Sequence, residues 1–241
     1  MERKRRPIGR VNEKGKRMAK ASRQAIILNL PEQARRIILN SGTAAIFLLF
    51  LLLLCGCASK APNYYVLHSL QSEAPDVKIT RAESDLTIGV GPVKVPEYLD
   101  RPQMATRSTP YSLQFAEFDK WAEPLDKNLA RVLAENLSIL LSTDRVVVFP
   151  WAGSMRVLYQ VTVDVAQMEY TADGKALLVA GWSVFGNDGG KLLAIRRSRI
   201  AVPVQSTGFE AIASAQSRAV GDMSREIAAC IESLPREQEI P

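Results

Sequence analysis

Few side chains in this 241-residue chain have the types and spacing for catalysis, and each candidate fails a second requirement. His68 is the only histidine, so neither a His-Glu-x-x-His zinc motif nor a three-histidine site can be built. A Ser-His-Asp triad would have to use His68. Its best serine, Ser183 in Gly181-Trp-Ser-Val-Phe-Gly186, has one residue too many before the second glycine and sits inside a strand-like run, not on a strand-to-helix turn. Glu117, Asp119, Glu123 and Asp126 gather around Trp121, which suggests paired carboxylates for glycoside cleavage. The same acids precede a helix start marked by Pro124, where negative charge complements the helix dipole. Gly89-Val-Gly91 opens like a dinucleotide fingerprint, but Pro92 follows at once, Lys94 replaces the third glycine and no helical pattern begins there. Arg196-Arg197-Ser198-Arg199 alternates faces on a strand, so it reads as a charge-protected edge, with a role facing anionic headgroups or an acidic partner left open. No catalytic or metal-binding residue is assigned.

The cysteines carry different chemistry. Ala44 to Leu54 is a run of 11 apolar residues, ahead of Cys55-Gly56-Cys57-Ala58-Ser59. A transmembrane helix needs about 20 such residues, whereas a shorter run between a basic stretch and small residues is the layout of a secretory signal. Leu54-Cys55-Gly56-Cys57 resembles the bacterial lipobox, which implies cleavage between Gly56 and Cys57. Cys57 would then carry a diacylglycerol on its thiol and an acyl chain, palmitate for instance, on its new amino group. Ala58 in place of Asp implies onward sorting to the outer membrane. Two or more acyl chains give stable anchoring. Cys230 would be the only thiol left, spaced on a helical apolar face with Met223 and Ile227, so it reads as buried and inert, with no disulfide to help the fold.

The charge divides at the same place. Residues 1–56 hold 12 Lys and Arg against 3 Asp and Glu, a net of +9, and the remaining 185 residues hold 19 against 22, a net of −3. The basic surplus belongs to the leader, and nothing in the balance of the mature chain favours nucleic acid. The basic stretch before the apolar run is long, so a start at Met18 or another internal position is expected. The divisions are a signal over 1–56, a lipidated tether over 57–63, one domain over 64–235 and a frayed tail over 236–241.

Within the domain, Tyr64 to Leu67 reads as a strand, Ser69 to Ser84 as a long loop, and Leu86 to Val95 as a second strand interrupted by two glycines. Two short strands follow at 103–108 and 112–117. Pro124 is expected at the first helical position, and Leu125, Leu129, Val132, Leu133, Leu137, Leu140 and Leu141 hold the 3.6 period of a helix. Arg145 to Phe149 is a short strand. Segments 156–170, 175–186 and 191–204 read as an antiparallel meander, with a bulge near Ala166-Gln167 and a doubly apolar, central middle strand. Thr207-x-x-Glu210 reads as a capping box for a closing helix that runs to Leu234. The fold class is α+β: a mixed, largely antiparallel sheet with two main helices on one side and the other face left for solvent or partners.

Thr106-Arg107-Ser108, Glu117-Phe-Asp-Lys-Trp121-Ala-Glu-Pro-Leu125, Arg131 to Leu137 and Arg145 to Trp151, with Tyr64 to Leu67 behind the lipid cysteine, resemble the ABC-type transport auxiliary lipoprotein family over essentially the whole mature chain. The resemblance implies a three-layer fold similar to anticodon-binding domains. It also implies a non-enzymatic outer-membrane lipoprotein, facing the periplasm, that docks an MCE-domain tube protein from an inner-membrane transporter in lipid movement and envelope integrity. Assembly as a homo-oligomeric ring is a further implication. No cofactor beyond the acyl groups on Cys57 is expected. Arg107, Glu117, Trp121, Glu123 and Pro124 stand out by position, either as partner contacts or as packing around the first helix. A lipid-binding carrier and an envelope hydrolase using His68 are the competing readings.

Overall fold

A computed structural model describes residues 60–70, 86–153, 155–186 and 189–234. The signal, Gly56, Cys57, most of the loop before Leu86 and the tail lie outside the described residues. Among the described residues the elements are eight strands and two long helices: β1 (Asn63–Tyr65), β2 (Ile88–Lys94), β3 (Gln103–Thr109), β4 (Ser112–Trp121), α1 (Leu125–Leu140), β5 (Val146–Val148), β6 (Tyr159–Thr171), β7 (Lys175–Gly186), β8 (Lys191–Pro203) and α2 (Phe209–Ser233). They form a single curled sheet in which long β6 is the spine. Antiparallel β7 and then β8 lie along one edge of β6. On its other edge β2 pairs parallel with the first half, at Ile88↔Tyr159, and β3 pairs parallel with the far end, at Arg107↔Thr171.

Alternation decides the faces, because directly opposed residues on antiparallel neighbours point the same way. Rows such as Val161↔Val184↔Ala194 and Val165↔Ala180↔Ser198 turn toward the helices. Leu129, Leu133 and Leu137 of α1, with Val220, Met223 and Ile227 of α2, cover them and are fully buried. Cys230 is in this core. The meander, the central apolar β7 and the bulge stand as expected; the register slips between Val165 and Gln167.

Three expectations need correction. β4 runs on to Trp121, past Glu117, because β1 adds to it in parallel at Asp119, Lys120 and Trp121. Asp119 is therefore a strand residue, not a helix-start acid. Pro124 caps α1 from the position before its first turn, its carbonyl accepting from the amides of Lys127 and Asn128. Thr207 forms no capping box: α2 starts at Phe209 behind Gly208, whose φ of 116° suits glycine, and no side chain caps the helix.

Candidate functional site

Of the residues singled out by position, Trp121, Glu123 and Pro124 lie at the joint between β4 and α1, with Glu117 further back on β4. Trp121 is only 5% exposed, and its amide donates to the Pro102 carbonyl at 2.6 Å. Glu123 accepts from Arg131 Nη2 at 2.8 Å, and Glu135 accepts from Arg131 Nη1 at 3.2 Å, so one turn of helix is laced to the segment that enters it. That Glu123 contact holds the Arg131 guanidinium above its usual pKa. Asp119 accepts from Asn63 Nδ2 at 2.9 Å and from the Tyr65 hydroxyl at 2.8 Å, fastening β1. Glu117 is exposed on β4.

Arg107 lies apart from this joint, on β3. Its Nε donates to Glu169 Oε1 at 2.6 Å and its Nη1 to the Pro110 carbonyl at 3.0 Å. Glu169 is 0% exposed. Tyr98 packs over the pair and donates to the Ala166 carbonyl at 3.2 Å; burial first, then the charge of Glu169, pushes its hydroxyl up to about 12. A buried carboxylate needs such a partner, since a buried charge left alone is costly. The pair clamps β3 to β6 where only two residue pairs join them.

Sequence reasoning missed Glu169, and it missed a ladder of polar side chains inside the helix layer. Asn128 and Asn136 are both fully buried on α1. The Leu67 amide donates to Asn128 Oδ1, the Leu70 amide to Asn136 Oδ1 at 2.8 Å, and the His68 amide to Ser217 Oγ on α2. These side chains satisfy the backbone of the segment after β1, which is not part of a strand there. A polar residue recurring at eight-residue spacing beside an apolar helix stripe is the signal that was available. The His68 side chain is exposed on the helix side of the sheet, whereas Ser183 lies on the opposite face, in the row Thr162↔Ser183↔Ile195. They do not meet, and Ser183 stays inside β7. Among the described residues no three His, Cys, Asp or Glu side chains converge as metal ligands.

The outer face over the first half of β6 is different in kind. Gly89 and Gly91 interrupt β2 because aromatic rings lie against them. A Cβ on Gly89 would come within 2.5 Å of the Trp151 ring, and one on Gly91 within 2.8 Å of Phe149 Cβ. Phe149 and Trp151 meet edge to face at 5.5 Å, and Phe149 and Met155 are exposed. Beside them a shallow trough is lined by Pro92, Lys94, Thr162, Asp164, Ser183 and Ile195, its floor opened by Gly181. Ile195 is 73% exposed and Leu192 52%. β8 is an edge strand pairing only with β7, and Arg197 and Arg199 stand on its outer side as the alternation required. Exposed apolar side chains at the two ends of this face, Phe149 after β5 and Leu192 and Ile195 on β8, beside charged ones, make it the candidate interaction surface.

Residues 65–228 match the family described as the ABC-type transport auxiliary lipoprotein component. The chain is 28% identical over 184 residues to the intermembrane transport lipoprotein PqiC of Escherichia coli strain K12, covering 76% of this chain and 94% of that one, and matches its Shigella flexneri counterpart equally. In fold it is similar to the crystal structure of an uncharacterized protein, with a TM-score of 0.58 and 22% identity, covering 71% of this chain and 99% of that one. Protein XCC0632 from Xanthomonas campestris is similar at a TM-score of 0.51 and 20% identity, covering 71% and 94%.

Proposed function

The chain belongs to the ABC-type transport auxiliary lipoprotein component family, and from that premise we propose that it is an outer-membrane lipoprotein that docks the end of a periplasm-spanning MCE-domain protein. Cys57 carries the diacylglycerol and acyl chains that anchor it, and the body receives its partner without chemistry of its own. The system it serves moves lipid between the membranes and maintains the envelope. The observation that carries the docking role is the outer half-face, where Phe149, Leu192 and Ile195 stay exposed. Among the described residues β5 and β8 each pair on one side only, which suits a head-to-tail ring of copies around the partner.

Crosslinking in intact cells followed by purification of the lipoprotein tests this. An MCE-domain protein should be recovered with it. Recovery of the lipoprotein from the outer membrane with no such partner would reject the docking role. The anchor has its own test: Cys57→Ala should abolish fatty-acid labelling, and normal labelling of that variant would reject the assignment.

A further inference from the structure

The register of β1 on β4 gives the direction from which the anchored end of the chain arrives. Asn63 pairs with Asp119, Tyr64 with Lys120 and Tyr65 with Trp121, in parallel. The chain ahead of Asn63 therefore comes from the Ser112 end of β4, the end that carries the β3–β4 turn. Lys60 keeps to this course, its Nζ 5.7 Å from the centre of the Phe118 ring. Cys57 is three residues further back, a covalent reach of roughly 10 Å at 3.3–3.6 Å per residue.

The turn on that side is built to hold one ring outward. Tyr111 is 99% exposed. Its amide donates to Thr109 Oγ1 at 3.3 Å, and Arg107 grips the Pro110 carbonyl while its Nε is fixed to buried Glu169. The guanidinium of Arg101 lies 4.2 Å from the centre of the Phe115 ring on the flank of the same hairpin. A single exposed tyrosine is ordinary. A tyrosine fixed on a braced turn, at the end of the strand from which an acyl-anchored tether arrives, meets the requirement of the membrane–water boundary, where an amphipathic ring keeps its hydroxyl wet and its body in the headgroup layer.

We propose that the β3–β4 turn rests in the phospholipid headgroup layer, with Tyr111 as an interfacial contact that orients the body on its lipid anchor. This rests on the assignment of Cys57 as the lipid site. The orientation has a consequence for docking. Arg107 stands level with Thr171, whereas Val148 and Val90 stand level with Val161, ten residues back along β6. At about 3.3 Å per residue the aromatic patch lies roughly 33 Å along β6 from the level of Arg107, and the turn lies beyond Arg107, so the patch is directed into the periplasm.

The full-length protein, isolated with its lipid and reconstituted in phosphatidylethanolamine and phosphatidylglycerol vesicles, allows a direct test. An environment-sensitive fluorophore is attached at Tyr111→Cys, or at Phe149→Cys for comparison, and nitroxide-labelled lipids are added. Loss of most emission at position 111, with little loss at 149, is the expected result. Vesicle-bound, lipidated protein in which position 111 is no more quenched than 149 would overturn the proposal and leave the anchor intact. Position 111 unquenched on vesicles but shielded in cells would overturn it in favour of a protein contact. Absence of fatty-acid label on Cys57 would overturn both the anchor and the proposal.

Discussion

The β4–α1 joint and the outer half-face over β6 are made of similar material, aromatic rings beside proline and charged side chains, and use it in opposite ways. At the joint Trp121 is buried, Glu123 is tied to Arg131, and Asp119 is tied to β1. On the outer face two glycines draw Trp151 and Phe149 onto β2, yet Phe149 and Ile195 remain in water. A distinctive sequence block can therefore mark the part of a fold that is hardest to assemble, while the surface offered to a partner is made of individually unremarkable residues.

The sharpest way to break this contrast is to damage the joint. Trp121→Ala should cost about 3–5 kcal/mol in denaturant unfolding, the range for emptying a large aromatic site, while the fraction still folded captures partner normally. Arg107→Ala should cost a similar amount, about 3–5 kcal/mol, because Glu169 is left buried and unpaired. The double variant Arg107→Met with Glu169→Leu should recover most of the loss, and no recovery would mean the pair is not what clamps β3 to β6. Gly89→Ala connects the two regions, since its new methyl meets the Trp151 ring. A cost of about 1–3 kcal/mol is expected, together with weaker partner capture from a displaced aromatic patch.

Ile195→Ser should do the reverse of Trp121→Ala: unfolding shifted by no more than about 0.5 kcal/mol, with capture of the partner reduced. The smallest effect is one of pH. Folded Tyr98 keeps its proton up to about 12, whereas the unfolded chain releases it near the ordinary tyrosine value of 10.0. The folded state therefore binds more protons between those values, and stability falls as pH rises from 10 to 12. Tyr98→Phe should lose that part of the alkaline decline, measured by thermal melts across the interval.

Most of the elements were legible because their periods are strong. Leu125 to Leu141 could only be a buried-faced helix, and the alternation from Val157 to Val165, its slip, and the two tight turns dictated the meander. What was not legible depended on distant partners. Nothing local says that β4 continues to Trp121, because the reason is a strand some 56 residues away in the chain. Glu169 reads as an outward polar residue until Tyr98 and Arg107 are brought over it. The two β2 glycines broke a pattern visibly, but the rings that need the space follow β5. Edge strand β8 and its arginines were readable from alternation alone.

A photo-crosslinking residue placed at Ile195 in one strain and at Glu117 in another compares the two regions without altering the core, since both positions are exposed. Irradiation of intact cells should join position 195 to the periplasm-spanning MCE-domain protein and leave position 117 without that product. The opposite pattern, with the partner captured from 117 and position 195 silent, would move the docking surface to the β4–α1 joint and contradict a docking role for the outer face.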